Sequence, residues 1–191
     1  MNRRTTIKSL IGLAAVGLVS GSIYEWKVYN HQIDFNLLHQ KKKLIAELAE
    51  VIIPRTDTPG AKDVKAEDYI LRVLEFCTPY REQNFFLNGL VDVESYAADK
   101  YNKEFINCTK EQKISIVKHF EDKADYHIGI LNKINNKIIG EPFFVKLKNL
   151  AVEGYCMSEI GATQGLTYDL VPVKFESCIP LKPNQRSWAT K

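Results

Sequence analysis

Histidine and cysteine, the residues that most often bind metals or act as nucleophiles, are few and widely separated in this chain. The four histidines lie far apart, and none is close to a cysteine; they are His31, His39, His119 and His127. A zinc site needs three or four such ligands, usually at short and regular spacing. We therefore predict that the chain binds no metal.

Catalytic motifs with a recognisable spacing are also missing. The sequence has no glycine-rich phosphate loop, no G-x-G-x-x-G, no H-E-x-x-H and no G-x-S-x-G. It lacks C-x-x-C, and with it the haem-attachment motif C-x-x-C-H. The sequence therefore predicts a protein that is not an enzyme and binds no cofactor itself. The alternative is an enzyme of unrecognised type that uses Arg55, Asp57 and Glu159 as a polar cluster.

The elements that would position these residues are helices. Apolar side chains recur every three to four residues through most of the chain, a pattern typical of amphipathic helices. The predicted helices cover residues 36–53, 69–77, 86–101 and 126–139, a segment that opens at Thr109, and a segment from Pro142 to Ser158. Thr109 and Gln112 form a capping box, and the helix that they open is predicted to bury Ile114, Val117 and Phe120. The fold class is therefore mainly α, with one helical domain over residues 36–165.

The end of the chain follows a different pattern. Two glycines interrupt the helical period between Glu159 and Gly165 and are expected to stop the helix. Residues 166–191 contain apolar and proline residues without a helical period, which predicts an extended C-terminal arm. Such an arm must lie against its own domain or against another protein.

The leading segment, residues 1–24, is typical of an export signal. Arg3, Arg4 and Lys8 precede an apolar run that ends at Ile23. The paired arginines resemble a twin-arginine signal, which a translocon for folded proteins recognises. The alternative is a short membrane anchor, but the run of about 15 apolar residues falls short of the roughly 20 that a membrane span needs. Residues 25–35 are predicted to be a linker, and the only membrane contact that we expect is through the leading segment.

Charge excludes one class of partner. The formal net charge is +3, and the three cations of the leading segment account for all of it. The remaining chain is close to neutral and has no basic patch interleaved with aromatic residues, so we do not expect it to bind nucleic acid.

The four cysteines are relevant because an exported protein meets an oxidising compartment. Cys77 and Cys156 fall on apolar helix faces and are predicted to be buried, whereas Cys178 lies on the arm beside Pro180 and is predicted to be accessible. Cys108 precedes a helix cap. Full pairing inside the chain would allow three connectivities. We hypothesise a disulfide between Cys178 and another subunit; the alternative is a free or internally paired thiol.

Two blocks of sequence carry longer motifs. The first is the run G-Y-C-M-S-E-I-G-A-T-Q at 154–164, followed by C-I-P-L at 178–181 and R-S-W-A at 186–189. The second is the run I-I-P-R-T-D-T-P-G-A-K-D at 52–63. They resemble the C-terminal signature and the N-terminal motif of the gluconate 2-dehydrogenase subunit 3 family. The resemblance extends over roughly residues 40 to 189.

This resemblance implies a small, cofactor-free subunit of a periplasmic sugar or sugar-acid dehydrogenase. In that family the large subunit belongs to the glucose-methanol-choline oxidoreductases and carries FAD, and a cytochrome c subunit completes some assemblies. We expect this chain to escort the folded large subunit through the twin-arginine translocon and to remain bound to it in the periplasm, membrane-associated if the signal is retained. The expected interface residues are Arg55, Asp57, Tyr155, Glu159, Gly161, Thr163, Gln164, Cys178 and Pro180.

Two alternatives to these expectations stay open. Arg55 and Asp57 could instead tie their loop to its own domain by an ion pair. The chain could also be a free-standing anchored periplasmic protein without a dehydrogenase partner.

The export signal generates the first testable prediction. Replacing Arg3 and Arg4 together with lysine keeps the charge but removes the paired guanidinium groups, so this chain and its large subunit should both accumulate in the cytoplasm. Cell fractionation with immunodetection of both subunits measures this, and Lys8→Arg is the matched control. Full delivery of the large subunit to the periplasm by the double variant would contradict the escort role.

Overall fold

The computed structural model describes residues 31–124, 141–171, 178, 180–181 and 183–189. Its α-helices are α1 (Phe35–Gln40), α2 (Lys42–Ile52), α3 (Ala66–Cys77), α4 (Tyr80–Tyr101), α5 (Lys110–Ala124) and α6 (Phe143–Met157). A short 3-10 turn, Phe105–Asn107, precedes α5, and a π turn, Gly161–Gly165, follows α6. The described residues form no strand, only an isolated bridge between Thr167 and Trp188. The prediction of a mainly α fold is therefore confirmed.

Some predicted segments lie outside the described residues. These are the export segment 1–24, the linker up to residue 30 and the helix predicted over 126–139. Within the described part, no helix is both long enough and apolar enough to cross a bilayer.

The first predicted helix, residues 36–53, is interrupted. It stops at Gln40 and restarts at Lys42, with Lys41 at φ −83° and ψ 3° between the two parts. After the break the chain buries Leu44 and Ile45, while Leu38 is buried and Leu37 stays half exposed. Lys41 pairs with Glu94 of α4, an interhelical contact that periodicity could not predict.

Helix α6 lies at the centre of the domain and contacts α2, α3, α4 and α5. Its apolar stripe is buried as predicted, with Leu147 and Ala151 fully enclosed. Gly154 permits a close approach of α3, because a Cβ atom at this position would lie 3.0 Å from the Cβ of Tyr69. Gly89 of α4 has the same role for the Phe143 ring at the start of α6.

The capping box at the start of α5 is confirmed, but the buried face of the helix differs from the predicted one. Thr109 N–H donates to Gln112 Oε1 at 2.9 Å, and Gln112 N–H donates to Thr109 Oγ1 at 3.4 Å. Val117 and Phe120 are buried as predicted, whereas Ile114 is 47% exposed and Ile116 takes its place in the core. The rotation of α5 about its axis, as it packs against α2, α4 and α6, decides between these two isoleucines.

The predicted burial of the cysteines is wrong at two positions, Cys77 and Cys156. Cys77 and Cys156 are exposed and Cys108 is buried, while Cys178 is exposed as predicted. Cys77 is the last residue of α3 and lies beyond the core, next to the exposed Phe76. Cys156 lies on the outer side of α6, one turn after the exposed Val152. All four thiols are free in the structure, so several exposed cysteines, not Cys178 alone, are accessible to an external partner.

The contact at Gly89 generates the second prediction. A Cβ atom there would lie 2.2 Å from Cγ and 2.6 Å from Cβ of Phe143, at the base of a side chain that cannot swing away. We expect Gly89→Ala to lower the free energy of unfolding by about 1–3 kcal/mol through overpacking, despite the better helix propensity of alanine. Urea unfolding measures the loss. The control is the exposed neighbour Asn88→Ala, which should be neutral or slightly stabilising, and equal stability of the two variants would contradict the predicted contact.

Candidate functional site

The loop of residues 54–63, which carries the N-terminal motif, is closed by one carboxylate. Glu50, near the end of α2, accepts the backbone N–H of Arg55 on Oε1 and the backbone N–H of Lys62 on Oε2, both at 3.0 Å. The backbone N–H of Ala61 donates to the carbonyl of Ile53 at 2.9 Å, which closes the same loop from its other side. One side chain therefore satisfies amide groups at both ends of the loop.

Gly60 lies directly over this carboxylate. A Cβ atom at Gly60 would lie 2.6 Å from each oxygen of Glu50 and 2.7 Å from the backbone nitrogen of Arg55, so the position excludes a side chain. The Gly60 N–H donates to Asp63 Oδ2 at 2.9 Å. The loop thus has a defined shape that its own backbone and two acidic side chains maintain.

Arg55 and Asp57 do not pair with each other. Arg55 Nη1 lies 3.4 Å from Asp63 Oδ1, and the Arg55 side chain remains 74% exposed. Asp57 is also exposed and accepts the hydroxyl of Thr56 at 3.0 Å. The local ion pair considered for Arg55 therefore exists with Asp63, and a pair so exposed contributes little to stability. Both side chains remain available to an external partner.

The C-terminal motif forms the π turn after α6. The helix ends at Met157 as predicted, but the chain does not become extended at once, because Ser158 opens another helical turn. Ser158 Oγ accepts the N–H of Gly161 at 2.9 Å, and the N–H of Leu166 donates to the carbonyl of Gly161 at 3.0 Å, the five-residue spacing of a π turn.

The two glycines of this turn fit around Tyr155. A Cβ atom at Gly161 would lie 2.0 Å from the Tyr155 carbonyl oxygen, and one at Gly165 would lie 2.1 Å from the Tyr155 hydroxyl. Tyr155 is only 7% exposed, and Gly161 is buried. These two expected interface residues lie beneath the surface, so any contribution to a partner interface would come from the shape that they give to the turn.

The loop and the π turn meet in one open groove of about 410 Å³, which we call the polar groove. It is lined by Arg55, Thr56, Asp57, Thr58, Pro59, Asp63, Ile160 and Gln164. Two blocks of sequence that are about a hundred residues apart thus form one surface. Glu159 and Thr163 are exposed on the same turn but do not line the groove; Thr163 Oγ1 donates to the Glu159 carbonyl at 2.7 Å.

The predicted arm is anchored where it leaves the π turn. Thr167 N–H donates to the Ser187 carbonyl, and Ala189 N–H donates to the Thr167 carbonyl, both at 2.8 Å. Arg186 Nη1 also donates to the carbonyl of Gln164 on the π turn. The end of the chain therefore returns to the start of the arm, and this closure was not predicted.

The described part of the arm exposes large apolar side chains. The exposed fractions are 43% for Tyr168, 78% for Leu170, 65% for Val171, 84% for Leu181 and 49% for Trp188. Cys178 and Pro180 are exposed in the same part of the chain. The sequence left two possible supports for the arm, its own domain or another protein. Its own domain does not cover these side chains.

The polar groove is open, and its Arg55 side chain is largely exposed. Glu159 does not join Arg55 and Asp57 in the groove, so the polar cluster of the enzyme alternative is not assembled. Among the residues that the structure describes, no group of three or more His, Cys, Asp or Glu side chains is arranged to hold a metal ion.

Sequence reasoning missed the residues that shape this site. Glu50 lies within a helical stripe pattern, and Asp63 and Arg186 lie in irregular segments, so none of them has a local signal of its role. The one clue available was the turn at Pro59-Gly60, which requires a partner for the amide groups at its ends.

The fold and the site define a small helical domain with an open polar groove beside an exposed apolar arm. A model of the family described as "Gluconate 2-dehydrogenase subunit 3" matches residues 39–173. The chain belongs to this family, whose name describes a subunit of a dehydrogenase complex. The match confirms the resemblance at 52–63 and 154–164, whereas the segments at 178–181 and 186–189 lie beyond it. No curated protein and no solved structure matches the chain.

The closure of the loop by Glu50 generates the third prediction. In Glu50→Gln one amide NH₂ must face a backbone N–H, so one loop hydrogen bond is lost and a donor is left unpaired. We expect the free energy of unfolding to fall by about 1–3 kcal/mol. Amide hydrogen exchange at Arg55 and Lys62 should accelerate by about tenfold or more. Glu75→Gln, on α3, is the control and should leave both amides protected; unchanged exchange in Glu50→Gln would refute the closure.

Proposed function

We propose that this chain is a non-catalytic small subunit of a periplasmic FAD-dependent sugar or sugar-acid dehydrogenase, and that it binds the large subunit of the glucose-methanol-choline type. The observation that carries the proposal is the exposed apolar arm next to the polar groove. Family membership supports it, because the family name describes a subunit of a dehydrogenase complex.

The arm supplies the apolar contact of this interface. Leu170 and Leu181 are 78% and 84% exposed, and fully burying a leucine side chain contributes about 1.5–3 kcal/mol. Soluble monomers rarely leave several large apolar side chains exposed on one segment. A surface on the large subunit that covers the arm would remove these side chains from water.

The polar groove is proposed to set the orientation in which the large subunit docks. Arg55, Asp57 and Gln164 are exposed, and they lie on a loop and a turn whose backbone is held by Glu50 and Ser158. Polar groups with fixed positions restrict the way in which a partner can dock and so confer specificity. Tyr155 and Gly161 contribute indirectly, by setting the shape of the π turn.

The leading segment extends the proposal to export. A flavoprotein folds around its cofactor before it crosses a membrane, and a twin-arginine signal directs folded cargo. In this scheme Arg3, Arg4 and Lys8 direct the whole complex to the translocon, and the small subunit stays on the large one in the periplasm. Cys178, exposed on the arm, is the thiol that we propose for an intersubunit disulfide.

The arm is tested by the fourth prediction. We expect the double variant Leu170→Asp/Leu181→Asp to fold, because both side chains are exposed, but to bind the large subunit at least about tenfold more weakly. Co-purification of the tagged chain with the large subunit, quantified by the flavin absorbance of the eluate, measures binding.

The matched control is Phe76→Asp on α3, which replaces a side chain with 77% exposure outside the arm. It should retain the large subunit at the wild-type level. Wild-type retention by the arm variant, with a normal helical circular dichroism spectrum, would contradict the proposed interface. Flavin absorbance and sugar oxidation by the purified chain alone would instead favour the enzyme alternative.

A further inference from the structure

A second surface lies between α2 and α5, where one apolar side chain, Ile114, is exposed beside others that the core buries partly or fully. Val51 and Ile52 of α2 face Ile114 and Val117 of α5, and Phe144 of α6 closes one end. These five residues define what we call the α2–α5 groove. Two cavities, of about 330 and 350 Å³, run along it and share Val51 and Ile114, so they form one continuous depression.

Ile114 shows that this groove is an incompletely buried helix face. It belongs to the apolar stripe of α5, yet it is 47% exposed while Val117, one turn further on, is buried. In helix-in-groove recognition, an amphipathic helix places its apolar face on an exposed apolar groove of a partner.

The side chains around the groove include more cations than unpaired carboxylates. Its acidic side chains already have partners: Glu47 pairs with Lys62 and Lys113, Glu121 pairs with Lys148, and both oxygens of Glu50 accept loop amides. The hydrogen bonds from Lys113 and Lys62 outweigh the desolvation of Glu47 and lower its pKa, so this residue stays ionised as part of the scaffold.

Two cations of the rim are not used in this way. Lys110 lines one end of the groove and Lys118 the other, and both are exposed. In the part of the chain that the structure describes, neither lysine forms an ion pair with a carboxylate. They are eight residues apart on α5, a separation of about 12 Å along the helix axis.

We propose that the α2–α5 groove binds an acidic amphipathic helix of a partner protein. The apolar face of that helix covers Ile114 and the exposed parts of Val51 and Ile52, and two of its carboxylates, about eight residues apart, pair with Lys110 and Lys118. The proposal does not depend on the arm or the polar groove, although Arg55 lines both the polar groove and one end of this second surface.

A designed peptide tests this without knowledge of the natural partner. The probe is a fluorescein-labelled, alanine-based peptide of about 18 residues, long enough for a helix of about 27 Å, with leucines along one face and glutamates eight positions apart. A second peptide has lysines in place of the glutamates. Fluorescence anisotropy with the full chain should give about tenfold tighter binding of the acidic peptide at low salt.

Two variants distinguish binding at this groove from nonspecific binding of the peptide. Lys110→Glu/Lys118→Glu should reverse the preference between the two peptides, and Ile114→Glu should weaken binding of the acidic peptide by about tenfold or more. Val91→Glu on α4 is the matched control, since Val91 is 46% exposed and does not line the groove; it should bind like the wild type.

Three results would overturn the proposal. These are equal affinity for the acidic and basic peptides, binding that survives Ile114→Glu, and a dimer in size-exclusion chromatography that Ile114→Glu abolishes. The last result would assign the groove to a second copy of the chain.

Discussion

The close packing of α6 against α3 and α4 is the constraint on which the rest of the structure depends. Two glycines permit it: Gly154 lies against Tyr69 of α3, and Gly89 lies against Phe143. Because α6 contacts four other helices, its position sets how each of them presents its outer face. The π turn begins four residues after α6 ends, so the same packing also fixes one wall of the polar groove.

The polar residues of the site divide into two groups. Glu50, Asp63 and Ser158 accept backbone amide groups within 3.0 Å and hold the loop and the turn in shape. Arg55 and Gln164 present their polar groups to solvent beside them. Exposed side chains on well-anchored backbone are typical of both binding and catalytic sites built on a rigid scaffold. The arrangement agrees with membership in a family whose name describes a subunit.

The exposed apolar side chains include those of the arm and Ile114 of the α2–α5 groove, besides others such as Phe76 and Val91. The arm is an irregular segment tied back to its own start at Thr167, and its leucines project without helical regularity. The groove is lined by regular helices and therefore offers a periodic surface. The two surfaces differ in regularity, which is why we propose different partners for them, the large subunit at the arm and a helix in the groove.

The sequence by itself determined the mainly α class, the stripe and end of α6, and the capping box of Thr109 and Gln112, because these signals are local and repeat with the helical period. Only the tertiary structure decided that Ile116 and not Ile114 is buried, because burial depends on the rotation of α5 against α2, α4 and α6. The role of Glu50 and the bond from Arg186 to Gln164 were decided in the same way. These hydrogen bonds join segments that the helical period describes separately. They form because folding brings distant parts of the chain together, and no local sequence pattern records that.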